Sequence, residues 1–262
     1  MRRIEFTRFG ELDYSGAEAL NTLCTNLTFS GAGVKRIMMT SCHASEGKSF
    51  ITLNMLRTFS KLGKRAVLLD TDLRRSVTLP RYGGRVREGV QFGLAHYLAG
   101  MCEMEDILFE TNMPGAYFVP VGREVTNSLS LLTTPKLSQL LNWLSSKFDF
   151  VLVDAPPVGM LIDAAEIAKS CDGVLFVVNY NSISRRELLE AKQQIARSGC
   201  KILGAVLNNV SFDSYRSKKY YYKSYYNTHY ESEYYQTSGA KEMKPIRRSS
   251  SGASTEKTRK TR

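Results

Sequence analysis

Five short apolar runs limit what this 262-residue chain can become: RIMMTS near residue 37, RAVLLD near 66, FDFVLVD near 149, GVLFVVN near 174 and KILGAVLNN near 202. None alternates apolar with polar residues, so each reads as a strand buried on both faces rather than one lying half in water. Between them, GKSFITLNMLRTFSKLG, TPKLSQLLNWLSSK and SRRELLEAKQQIARSG carry helical spacing and capping residues. A further helix is expected over Ser15 to Phe29, and two short ones in GLAHYLAG and MEDILF. The pattern predicts an α/β fold with a mostly parallel sheet flanked by helices.

The aliphatic residues thin out at Phe212, which divides the sequence into an expected domain, 1–211, and a tail, 212–262. Nine of the fourteen tyrosines fall in the tail: Tyr215, Tyr220, Tyr221, Tyr222, Tyr225, Tyr226, Tyr230, Tyr234 and Tyr235. They run in pairs and triplets among Lys, Asn, Ser and Glu, so no helical or strand face collects them, and a disordered C-terminal tail is predicted. Twelve Lys/Arg against five Asp/Glu give this tail +7 of the chain's net +11. Such a charge suits an anionic partner or simply keeps the tail extended in water. Aromatic stacking on RNA, or a sticky carbohydrate-contacting segment, are further readings of the phenols. Five scattered cysteines, Cys24, Cys42, Cys102, Cys171 and Cys200, form no CxxC pair and suit a reducing cytosol. The opening MRRIEFTRFGELDYSG lacks an apolar signal core and the apolar runs are short, so no membrane crossing is expected.

After the first apolar run comes CHASEGKS, Cys42 to Ser49, matching the second half of the phosphate-loop pattern GxxxxGK[ST]. Backbone N–H groups at a helix N-terminus, a lysine for the outer phosphates and a hydroxyl for Mg²⁺ are the parts such a loop needs; Gly47, Lys48 and Ser49 offer them. Cys42 stands where the first glycine belongs, and an ordinary strand-to-helix turn with an exposed lysine is the bland alternative. The second run ends in Asp70-Thr71-Asp72 and the third in Asp154-Ala155-Pro156-Pro157, a Walker B arrangement. In a parallel sheet the C-terminal strand ends share one crevice, so three strand ends would deliver Lys48 with Ser49, Asp70 with Asp72, and Asp154 to one nucleotide and its metal.

With the hydrophobic-DxDxR stretch ending at Arg74, the hydrophobic-DxxP stretch ending at Pro157 and the tyrosine cluster, the sequence resembles the bacterial tyrosine kinases of capsular and exopolysaccharide biosynthesis. The similarity runs from about Ser15 to Val210 and into the tail. It implies a P-loop NTPase-like, cytoplasmic kinase that uses ATP and Mg²⁺ to phosphorylate tail tyrosines between subunits. It further implies a membrane-embedded polysaccharide co-polymerase adaptor as activator, holding the kinase at the inner face of the membrane. A cognate tyrosine phosphatase, self-assembly and no nucleic-acid partner follow from the same likeness. Transferred onto this sequence, the catalytic set is Lys48, Asp70, Asp72 and Asp154; the nucleotide set is Ser45, Glu46, Gly47, Lys48, Ser49 and Phe50; and the metal set is Ser49, Asp72 and Asp154. Asp70 is assigned to the phenol proton, with Asp72 able to exchange roles with it.

Two departures from the family pattern stand out. Ser45 replaces the first glycine of GEGK[ST], which puts the catalytic rate in question. The E-x-x-R-x-x-R assembly motif reads Glu18, Asn21 and Cys24, so a weaker or different oligomer is expected. The competing readings are a positioning ATPase of the Min or Par type, which carries an extra loop lysine where His43 stands, and a catalytically weakened ATP-binding scaffold. His43 and His96 read as loop and helix-surface residues, Trp143 as core, and Cys42 as a remote candidate for redox gating.

Overall fold

The computed structural model describes residues 2–29, 33–86 and 92–210; the tail, with every expected phosphoacceptor, lies outside the described residues. In chain order the elements are β1 (Arg3–Glu5), α1 (Tyr14–Phe29), β2 (Arg36–Ser41), α2 (Lys48–Lys61), β3 (Ala66–Asp70), α3 (Thr78–Arg81) and β4 (Arg85–Val86). Then follow α4 (Leu94–Leu98), a 3-10 turn over Met104–Ile107, β5 (Phe109–Thr111), β6 (Ala116–Val119), α5 (Ser128–Leu132), α6 (Pro135–Lys147) and β7 (Phe150–Asp154). The last are α7 (Asp163–Ala168), β8 (Gly173–Asn179), α8 (Arg185–Arg197) and β9 (Ile202–Asn208).

The nine strands of the described residues join one sheet in the order β4-β1-β5-β6-β3-β7-β2-β8-β9. From β6 to β9 every neighbouring pair is parallel, while β5–β6 and β1–β4 are antiparallel. The unbroken apolar runs follow from this layering. In β2, Ile37 and Met39 pack toward α1 and α2, against Leu20, Leu53 and Phe59, whereas Met38 joins the opposite core with Leu140, Leu144, Ile167 and Ile195 of α6, α7 and α8. Both faces of a central strand meet helices, so both sets of side chains are apolar. Helix ends carry the expected local chemistry: Pro135 opens α6, and the Ser184 hydroxyl accepts the Glu187 N–H while the Glu187 carboxylate accepts the Ser184 N–H, a closed capping box for α8.

Several expectations meet a different outcome. KILGAVLNN forms β9, but as the edge of the sheet, with Leu207 54% exposed instead of buried on both faces. MEDILF makes only a 3-10 turn before entering β5, because the chain must return to the sheet within a few residues. Trp143 is half-buried at the rim of the core, with the Lys147 ammonium 4.5 Å from its ring centre. His96 Nδ1 accepts the Gly93 N–H at the start of α4. Cys24 is fully buried, its thiol pointing at the Met55 carbonyl, so in this chain the third position of the assembly motif faces α2. Positions 18, 21 and 24 drift around a helix of 3.6 residues per turn, and only the first two stay outside. There Asn21 donates to the Glu18 carboxylate at 3.4 Å. Among the described residues no helix is long and apolar enough to cross a membrane.

Candidate active site

The strand order seats β7 between β2 and β3, and register places Asp70 directly beside Asp154. Two threonines fasten these ends: the Thr71 N–H and hydroxyl both donate to the Asp154 carbonyl, at 3.0 and 2.8 Å, and the Thr40 hydroxyl donates to the Pro156 carbonyl at 2.8 Å. The loop from β2 then turns into α2, whose first residue is Lys48. A cleft of about 130 Å³ collects Ser45, Gly47, Lys48, Ser49, Asp70, Asp72 and Asp154. A larger hollow of about 470 Å³, beside Met160, Ile162 and α7, lacks this convergence.

The loop's shape separates its two departures. Cys42 has no left-handed backbone, and its side chain is buried in the core, so a glycine is not required there. Burial first, then the nearby Glu46 and Glu187 carboxylates, push its thiol up to about 11, which removes the thiolate that redox gating needs. Ser45 does adopt the left-handed conformation, with φ 65°, a geometry that glycine tolerates and a side chain resists. Gly47 is also left-handed, with φ 93°, and a Cβ there would stand 2.1 Å from Asn208 Nδ2. Glu46 holds the loop from inside: its carboxylate accepts N–H bonds from His43 (2.8 Å) and Asn179 (3.4 Å), and its carbonyl accepts Asn208 Nδ2 (3.0 Å). His43 has a partner after all, with Nε2 3.0 Å from the Glu187 carboxylate of α8. Asn179, Asn208 and Glu187 were invisible as loop supports in the sequence; the only hint was polar residues closing two apolar strands.

Electrostatically the cleft is under tension. Lys48 donates to the Ser41 hydroxyl at 3.1 Å, and burial lowers its pKa against the pull of Asp154, Asp72 and Glu46. Asp70 accepts from Ser76 (2.7 Å) and from the Asp72 N–H (3.2 Å), yet burial and the neighbouring Asp154 push its carboxyl well above the ordinary range. Burial likewise raises Asp154, opposed by the Ser49 hydroxyl and Lys48. Asp72 is raised by burial too, opposed by the Arg75 N–H and Lys48. Asp154 Oδ1 is buried without a hydrogen-bond partner. An orphaned carboxylate oxygen beside a hydroxyl and a second acid fits a divalent cation that takes its remaining ligands from phosphate and water. No group of three or more acidic, histidine or cysteine side chains encloses a metal by itself among the described residues. Phe50 is half-buried and packs against the core on the α1 and α2 side.

Arg74 faces elsewhere. Its guanidinium grips Asp163 at the start of α7 at 2.9 Å, and the Ser128 hydroxyl of α5 donates to the same carboxylate. Burial would raise Asp163, but these two partners hold it below the ordinary range. The clamp ties the segment after Asp72 to two helices.

The fold and site define a P-loop nucleotide-binding domain, and residues 34–199 match the AAA-domain family. The chain is 35% identical over 194 residues to the tyrosine-protein kinase CpsD of Streptococcus agalactiae serotype Ia, across 74% of this chain and 82% of that one. The kinase domain of Escherichia coli tyrosine kinase ETK superposes with a TM-score of 0.70 at 27% identity, covering 76% of this chain and 78% of that one. The septum site-determining protein MinD of Pyrococcus horikoshii, complexed with Mg-ADP, gives a TM-score of 0.58 at 24% identity over 70% and 73% of the two chains, a likeness of fold alone. The chain belongs to the bacterial tyrosine-protein kinase family.

Proposed function

We propose that this protein transfers the γ-phosphoryl group of ATP to tyrosines of its own tail, in trans between subunits, as a non-specific protein-tyrosine kinase regulating capsular or exopolysaccharide export. The observation that carries this reading is the convergence of Lys48, Ser49, Asp70, Asp72 and Asp154 from three strand ends on one cleft. Lys48 and the first N–H groups of α2 receive the phosphates, with Ser45, Glu46, Gly47, Ser49 and Phe50 as the remaining nucleotide-binding stretch. Ser49, Asp72 and Asp154 hold Mg²⁺, which neutralises charge developing on the phosphates. Asp70, whose raised pKa matches a base working near neutrality, takes the phenol proton. The phenol oxygen then bonds to the γ-phosphorus as the bond to ADP breaks. Residues 1–211 form the kinase domain and 212–262 the acceptor tail, with Tyr215, Tyr220–Tyr222, Tyr225, Tyr226, Tyr230, Tyr234 and Tyr235 as acceptors.

A membrane co-polymerase adaptor is the activator, bringing the kinase to the inner face of the membrane; a tyrosine phosphatase resets the tail. Incubation with MgATP, with and without the cytoplasmic peptide of such an adaptor, followed by phosphotyrosine mapping, tests the reading. Tail label that disappears in Lys48→Met supports it; ATP hydrolysis with an unlabelled tail points to a Min-type switch and ends the kinase assignment.

A further inference from the structure

Beyond Lys48, two cations line the cleft, Arg75 and Arg81, and both are exposed. Their neighbour Arg74 is consumed by Asp163, but among the described residues neither Arg75 nor Arg81 has a carboxylate within ion-pair distance. Among the described residues Arg81 meets the phenol of Tyr82, which is no counter-ion. Both belong to the chain that follows the DxD acids, a separate segment of the cleft lining from the phosphate-loop residues 44–49. The Arg75 N–H bonds to the Asp72 carboxylate at 3.1 Å, and Arg81 closes the short helix whose first residue, Thr78, reaches the Asp154 carboxylate at 3.5 Å. The phosphates already have Lys48 and the N-terminal amides of α2, so the two guanidiniums remain for whatever approaches from the acid side.

If Asp70 takes the phenol proton, an acceptor tyrosine has to reach the acids and bring its flanking residues past Arg75 and Arg81. We infer that Arg75 and Arg81 select acceptors by an acidic flank, engaging a carboxylate next to the reacting tyrosine; the inference rests on the kinase reading above. The chain's own tail contains both kinds of acceptor. Tyr230, Tyr234 and Tyr235 surround Glu231 and Glu233, whereas Tyr220, Tyr221 and Tyr222 lie between Lys218, Lys219 and Lys223. The glutamate-flanked group is therefore phosphorylated first. An exposed guanidinium–carboxylate pair contributes up to about 1 kcal/mol, so the initial preference is about fivefold. Each phosphate placed there adds about −1.5 to −2 to its surroundings, which extends the acidic flank toward the next tyrosines.

The test uses the full chain with MgATP and the adaptor peptide, reading the early ratio of phosphate at Tyr230, Tyr234 and Tyr235 to that at Tyr220–Tyr222. Both groups share one tail and one ATP site, so this ratio is independent of nucleotide affinity. It is expected to fall about fivefold, to near unity, in Arg75→Gln/Arg81→Gln and equally in Glu231→Gln/Glu233→Gln, with no further fall when the two are combined. In Arg75→Glu/Arg81→Glu the lysine-flanked group should lead. A wild-type ratio near unity, or a ratio unchanged in the arginine variants while total label falls, overturns the inference and gives the arginines to ATP. An unlabelled tail in every variant overturns the kinase reading itself and this inference with it.

Discussion

The two rims of the sheet treat their aspartates in opposite ways. At the N-terminal rim, burial would raise Asp172, but the Arg36 guanidinium and the N–H groups of Arg36 and Lys35 hold it below the ordinary range. At the C-terminal rim, Asp70 and Asp154 stand side by side, raised by burial and, for Asp70, by its neighbour, with one oxygen unpaired and a left-handed serine overhead. One rim is satisfied; the other keeps its acids raised and one carboxylate oxygen without a partner. Strain and unpaired charge collected at one edge mark where the fold yields stability to chemistry.

The sharpest break of this contrast is Lys48→Met, which removes the ammonium that acts on both Asp154 and Asp72. Tail phosphotyrosine should fall by roughly 100- to 1,000-fold in a timed MgATP assay, with the circular dichroism spectrum unchanged. At the other rim, Asp172→Ala leaves Arg36 half-buried without its partner; urea denaturation should report a loss of about 2–3 kcal/mol, with ATP affinity preserved. Destabilisation on that scale at Asp70 would erase the distinction between the rims.

Asp70→Asn is expected to do the reverse. A carboxyl whose pKa is raised in the folded state keeps a proton that the unfolded chain has released, so its unfavourable contribution grows as pH rises from the ordinary value of 3.8 into the neutral range. The nucleotide-free variant should therefore be more stable than wild type by about 1–2 kcal/mol at pH 7.5, converge with it near pH 4, and be inactive as a kinase. Thermal melts across that range decide the sign. The smallest change is Ser45→Gly, which relieves the positive φ; it should add about 1 kcal/mol of stability and lower the KM for ATP, and a destabilised variant would show that the serine is not strained.

The central strands, their helices and the five residues of the cleft were legible because each is a local signal: an apolar run, a cap, or an acid placed where a strand stops. β1, β4, β5 and β6, of two to four residues, were not legible, since so short a segment has no period of its own and is a strand only by its neighbours. β9 has the composition of a buried strand yet lies at the edge, because the order of strands is a tertiary fact. The His43–Glu187 contact joins residues 144 apart, and the Asn208 bond to Glu46 spans 162, beyond any window of local pattern. The backbone angle at Ser45 was half legible: the missing glycine drew attention, but only the structure tells it from the harmless Cys42.

Because β7 is inserted between β2 and β3, ribosomal synthesis delivers the phosphate loop and the DxD acids long before the strand that separates them. A nascent chain ending anywhere short of Asp154 lacks the complete strand that joins β2 to β3 and lacks the third acid, so it cannot assemble the cleft. The complete cleft thus arrives late in translation and all at once.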